Sequence, residues 1–205
     1  MIETIIFDFG DVFIDKNGEA RDKALSALGL KEWNDDLEKL EKKLETGKVD
    51  EEGFLKGIQN YIPNASLEDI KAAWNEGIGE FPLYRLEFLQ KLSQNYRLFL
   101  LSNTDPIHME KFEHEAGASF YSDFYQCFEA IYFSHEIGSR KPDEKAFYFL
   151  INKHAIQPKR TLFVDDKDFN TQAAEALGFQ VWNLKVGEED VVDMFDKKII
   201  SPDEA

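Results

Sequence analysis

The stretch Ile5–Asp15, IIFDFGDVFID, decides how this chain is read. Its first residues are β-branched or aromatic and the run is too short for a helix, so Thr4–Phe9 is predicted to be a buried strand. Asp8 then stands at the end of that strand. A carboxylate there either shapes a turn or reacts with a substrate. If it reacts, Gly10 is puzzling, because a glycine has no side chain with which to move a proton for its neighbour.

Working outward, Arg97–Ser102 (RLFLLS), Phe128–Ser134 (FEAIYFS), Thr161–Asp165 (TLFVD) and Phe179–Leu184 (FQVWNL) have the same short, apolar character. Helical patterns separate them over Pro82–Gln94, Asp105–Ala116, Asp143–His154 and Phe169–Leu177, the last closed by Gly178. Strands alternating with helices predict an α/β fold, a doubly wound, Rossmann-like parallel sheet covered on both faces. In such sheets ligands bind outside the carboxyl ends of the strands.

Between about Asn17 and Gly79 the alternation stops. Helices are predicted over Ala20–Leu28, Asp35–Leu44, Asp50–Tyr61 and Ser66–Glu76, the last opening with the capping signature Ser66-x-x-Asp69. The expected organisation is a core of residues 1–15 and 80–205 with an α-helical cap, residues 16–79, standing over the strand ends as a lid. The final ISPDEA is expected to fray.

With 205 residues, 43% hydrophobic and 31% charged, the chain suits one core domain with an insertion. Its 40 acidic against 24 basic residues give a formal charge of −16, which disfavours nucleic acid and anionic membranes as partners. A small anionic substrate must then be held by local charge, a metal ion or oriented N–H groups. Cys127 is the single cysteine, so no internal disulfide forms; it is expected to behave as a small buried apolar residue. No basic leader or membrane-length apolar run is evident, and a cytoplasmic location is expected. The oligomeric state is not legible.

The polar residues at the strand ends carry the chemistry. Asp8, Ser102-Asn103-Thr104 and Asp165-Asp166 close three strands, and Lys141 lies in the loop GSRKPDE after another. A doubly wound sheet brings these ends to one edge. Clustered carboxylates repel unless a cation sits among them. Mg²⁺ suits oxygen ligands and accepts a phosphate oxygen. Ser102 and Lys141 would hold the remaining phosphoryl oxygens while Asp8 attacks phosphorus.

The ordered segments FDFGDV (7–12), LLSNT (100–104), RKP (140–142) and FVDDKDFN (163–170) resemble the four motifs of the haloacid dehalogenase superfamily. With the helical insertion, the chain is similar to its α-helical-cap members, and to bacterial sugar-phosphate phosphatases among them, including an α-glucose-1-phosphate phosphatase subgroup. The resemblance implies that Asp8 is nucleophile and Mg²⁺ ligand, that Ser102 binds phosphate with Asn103 beside it, and that Lys141 is the catalytic cation. It implies metal contacts from Asp166, from Asp165 directly or through water, and from the Gly10 carbonyl. Asn170 stands where many relatives have another acid.

In most phosphatases of that superfamily the residue at Gly10 is a second Asp, the general acid and base. Losing such help typically costs about 10²–10⁴-fold, so substrates with good leaving groups, such as sugar 1-phosphates or acyl phosphates, become attractive. Asp11, Asp15 or a cap residue are alternative proton carriers, with Asp11 better suited to capping the turn. A metal-independent 2-haloacid dehalogenase and a non-catalytic phosphate-binding relative are the competing functions. His108, His114, His135 and His154 show no converging ligand spacing and are assigned to surface or ordinary packing. Trp33, Trp74 and Trp182 are assigned to the core.

Overall fold

A computed structural model of the chain describes residues 1–200; of the expected fraying over ISPDEA, all but Ile200 lies outside those residues. The strands are β1 (Thr4–Phe7), β2 (Arg97–Ser102), β3 (Ala130–Phe133), β4 (Thr161–Asp165) and β5 (Gln180–Asn183). They form one parallel sheet in the order β3-β2-β1-β4-β5. Side chains alternate across a strand, and the two faces separate accordingly. Ile5, Phe7, Leu98, Leu100, Leu162 and Val164 enter one buried cluster, while Ile6, Phe99, Leu101 and Phe163 enter another. Burial on both faces is why these strands read as continuous apolar runs rather than as alternating ones.

The helices are α1 (Gly18–Ala27), α2 (Asp35–Leu44), α3 (Glu51–Gln59), α4 (Leu67–Asn75), α5 (Leu83–Leu92), α6 (Pro106–Gln126), α7 (Ser134–Ile137), α8 (Glu144–His154) and α9 (Asp168–Ala176). Helices α1 to α4 begin at Asn17, Asn34, Asp50 and Ser66, whose side chains accept hydrogen bonds from first-turn N–H groups. Each such cap contributes about 1 kcal/mol. These four helices enclose an apolar cluster of their own around Leu37, Leu44, Phe54, Ile70 and Trp74. The chain enters and leaves them by two segments paired side by side: Asp15 N–H donates to Glu80 O at 2.9 Å, Gly79 N–H to Asp15 O at 2.7 Å and Asn17 N–H to Gly77 O at 2.9 Å.

Helix α6 departs most from expectation. It does not stop at Ala116 but continues to Gln126 after a break at Gly117, where φ is 76°. The second stretch lacks a clean amphipathic period; Phe120 and Phe124 make it helical by packing on Phe81, with ring centroids 5.0 and 5.3 Å away. Pro82 precedes α5 as its N-cap instead of occupying its first turn. Among the described residues no helix is long and apolar enough to cross a membrane. Cys127 is buried, and burial pushes its thiol up to about 11, which suits packing and not reactivity.

Candidate active site

The register of the sheet assembles the site. Phe7 is level with Leu100 on β2 and Val164 on β4, so the next residue, Asp8, emerges beside the ends of both neighbours. Its backbone N–H donates to Val164 O at 2.9 Å. Ser102 ends β2 and Asp165 ends β4, and both are buried.

Lys141 is fully buried between two carboxylates, with Nζ 2.8 Å from Asp8 Oδ1 and 2.7 Å from Asp165 Oδ2. Burial works against its charge, but Asp165 and Asp8 overcome that and raise its pKa. Asn103 holds the lysine in place from the main chain: its Nδ2 donates to Lys141 O at 2.8 Å and its Oδ1 accepts from Lys141 N–H at 2.9 Å. One Nδ2 hydrogen and the Oδ1 of Asn103 are thus engaged by Lys141, which leaves its second Nδ2 hydrogen as the donor for the expected phosphate contact.

Asp8, Asp165 and Asp166 each offer a carboxylate oxygen within 4.8 Å of the others. The two acids of β4's end differ sharply in what they already touch. Asp165 accepts from Lys167 N–H at 2.9 Å, from Asn170 Nδ2 at 3.0 Å to each oxygen, and from Lys141. Burial pushes its pKa up to about 6 against the lowering pull of Lys141. Among the described residues the Asp166 carboxylate meets only the Lys167 ammonium, at 2.5 Å. Asn170, at the position where the resemblance implies another acid, thus serves as a donor that satisfies Asp165. Buried hard oxygen donors in this number and spacing fit a Mg²⁺ ion.

Gly10 lies in the turn after β1. Asp11, with φ 58°, accepts from Lys16 N–H at 2.9 Å and so shapes that turn. Asp15 pairs with Arg85 at 2.7 Å. Above the sheet edge a cavity of about 70 Å³ opens between α1–α4 and the core. Gly10, Ser102 and Asn103 line it from the core, with Lys16, Arg21, Glu41, Glu45, Trp74 and His108 on the other walls. Sequence patterns did not single out Lys16, Arg21, Glu41 or Glu45. His108 was assigned to ordinary packing, yet it faces this cavity, stacked on Trp74 at 5.2 Å and 3.0 Å from Asp105 Oδ2. Their only sequence signal is that they lie on or next to helices flanking the strand ends; which side chains turn inward is a tertiary matter.

A family model of haloacid dehalogenase-like hydrolases matches residues 2–178. The chain belongs to this family. A D-ribitol-5-phosphate phosphatase of Bacteroides thetaiotaomicron is 32% identical over 196 residues, covering 91% of this chain and 94% of its own. A HAD family enzyme from the same organism, solved with magnesium and inorganic phosphate, superimposes with a TM-score of 0.82 at 29% identity, covering 92% of this chain and 97% of its own. A HAD-like hydrolase from Porphyromonas gingivalis gives a TM-score of 0.83 at 28% identity, covering 98% and 99%. This hydrolase thus shares its fold with these structures along nearly the whole chain.

Proposed function

We infer that the chain is a Mg²⁺-dependent phosphomonoester hydrolase that forms an aspartyl-phosphate on Asp8. The observation that carries this is the Lys141 ammonium set between Asp8 and Asp165, 2.8 and 2.7 Å from their oxygens, at the same sheet edge from which Gly10, Ser102 and Asn103 line a cavity. Lys141 orients Asp8 and neutralises phosphoryl oxygens, and the Ser102 hydroxyl hydrogen-bonds another. Asp8 forms a bond to phosphorus as the bond to the ester oxygen breaks; water then cleaves the acyl phosphate and frees phosphate. Asp8, Asp166 and the Gly10 carbonyl, with Asp165, would hold Mg²⁺, which would supply charge neutralisation. The magnesium and phosphate complex of the related enzyme and the phosphatase activity named for the relative support the same chemistry.

The substrate is a small phosphorylated metabolite, a sugar or polyol phosphate. Glu41 and His108 on the cavity walls suit hydroxyl groups, and Trp74 offers an apolar face. Residues 16–79 act as the cap that closes over it. The acidic surface supports a small substrate in preference to nucleic acid, and the lone buried thiol fits the cytoplasm. A haloacid dehalogenase, which attacks carbon without a metal, has no use for three carboxylates clustered within 4.8 Å of one another. The test is hydrolysis of a panel of sugar, polyol and acyl phosphates with and without Mg²⁺, using Asp8→Asn as control. Turnover of a haloacid in excess chelator would reverse the assignment.

A further inference from the structure

Among the described residues, the cations around this site are committed, with one exception. Lys141 is bound to Asp8 and Asp165, Lys167 to Asp166, Arg140 to Glu45 and Arg21 to Asp22. Lys16 lines the same cavity as Gly10 and Ser102 and takes part in no ion pair among the described residues. Its charge acts on Glu41 and Glu45 across the cavity and on Asp11 beside it, so the ammonium belongs to the cavity that Gly10 and Ser102 line.

Two local features set its position. The Lys16 backbone is anchored by its N–H to Asp11 Oδ1 and by a bridge to Ile78 in the paired segments that join core and cap. Its stem crosses the space next to Gly10: a Cβ built on Gly10 would stand 2.7 Å from Lys16 Cδ and 3.3 Å from Cγ. Gly10 does not have a positive φ, so what this glycine provides is room for the lysine stem and not an unusual backbone.

We propose that Lys16 is a catalytic residue of this hydrolase, its ammonium donating a hydrogen bond to the ester oxygen that leaves when Asp8 takes the phosphoryl group. The proposal rests on the phosphatase function inferred above. As the bond from phosphorus to that oxygen breaks, the electron pair stays on the oxygen, which takes its proton from water. Lys16 remains charged and offsets the negative charge that develops. A fixed cation at that atom is worth most when the leaving group is a poor one, such as the alkoxide of a sugar or polyol, and least for an acidic phenol. The missing side chain at Gly10 and the unpaired Lys16 thereby become two halves of one arrangement.

The experiment compares wild type with Lys16→Met and Lys16→Arg on a series of alkyl and aryl phosphates of graded leaving-group acidity. For Lys16→Met, kcat/KM on alkyl phosphates falls on the order of 10²-fold and on nitrophenyl phosphate far less, so the dependence on leaving-group acidity steepens; Lys16→Arg recovers part of the loss. Gly10→Ala, which displaces the stem, lowers alkyl phosphate turnover in wild type but adds little in the Lys16→Met background. Absence of any turnover by wild type would remove the phosphatase function itself. Turnover by wild type with an unchanged leaving-group dependence in Lys16→Met, or a loss equal across the series, would overturn the role of Lys16 alone.

Discussion

Arg140 Nε stands 2.8 Å from Glu45 Oε2, joining the end of α2 to the loop that carries Lys141. The two side chains are 28% and 12% exposed, and the pair crosses from the helical insertion to the core. A second close approach runs alongside it, where a Cβ on Gly47, with φ +65°, would meet His135 O at 2.5 Å. The insertion is thus seated on the core one residue away from Lys141.

Replacing Arg140 with Met should therefore affect both stability and turnover. Removing one partner of a partly buried pair leaves Glu45 uncompensated, and a loss of about 1–3 kcal/mol is expected, below the range for a fully buried pair because solvent reaches Arg140. KM should rise through looser seating of the insertion. Urea unfolding and steady-state kinetics of Arg140→Met measure the two effects.

Glu45 also gives the fold a pH dependence. Burial raises its pKa to about 7 from an ordinary 4.5, with Arg140 opposing, Lys16 weakly opposing, and Glu41 and Asp105 adding to the rise. Its folded pKa exceeds its unfolded one, so the native state binds the extra proton, and this stabilisation is complete below about pH 4.5 and lost as pH rises through about 7. Glu45→Gln cannot titrate. Between pH 5 and pH 8 wild type should lose on the order of 2–3 kcal/mol relative to Glu45→Gln; parallel stability curves for the two proteins would contradict it.

Asn103→Ala removes both hydrogen bonds to the Lys141 main chain. At about 1 kcal/mol for each, the variant should lose roughly 2 kcal/mol of stability, and kcat should fall because Lys141 is no longer held against Asp8. A variant that raised KM for phosphate esters while leaving kcat intact would instead assign the Asn103 amide to the substrate.

The two acids after β4 should separate in metal titrations. Asp165 has both oxygens engaged by protein donors, while Asp166 meets a single lysine. Asp166→Asn should raise the Mg²⁺ concentration for half-maximal activity at least tenfold, in the range seen when a metal site is perturbed. Asp165→Asn should chiefly lower stability, by taking a carboxylate from the buried Lys141. Isothermal titration with Mg²⁺, alongside thermal unfolding, distinguishes them.

Much of this protein was legible in its sequence. Short apolar runs read as strands of a sheet covered on both faces, so β2 and β4 have the predicted bounds and the other strands fall within theirs. Ser66 and Gly178 punctuate helices because a side-chain oxygen can satisfy a free N–H and a glycine can adopt φ 91°. A parallel sheet then carries Asp8, Ser102 and Asp165 to one edge without further information. What lies beyond that edge was settled by the tertiary structure. The continuation of α6 past Gly117 depends on aromatic partners far away in the chain. The engagement of Asn103 with Lys141, of Asn170 with Asp165 and of Glu45 with Arg140 joins residues 38, 5 and 95 positions apart. Gly10 shows the division most clearly. Sequence alone marks it as the place where a side chain is lacking; only the folded chain, by laying Lys16 across that space, shows what fills it, because packing between distant segments obeys volume and charge rather than spacing.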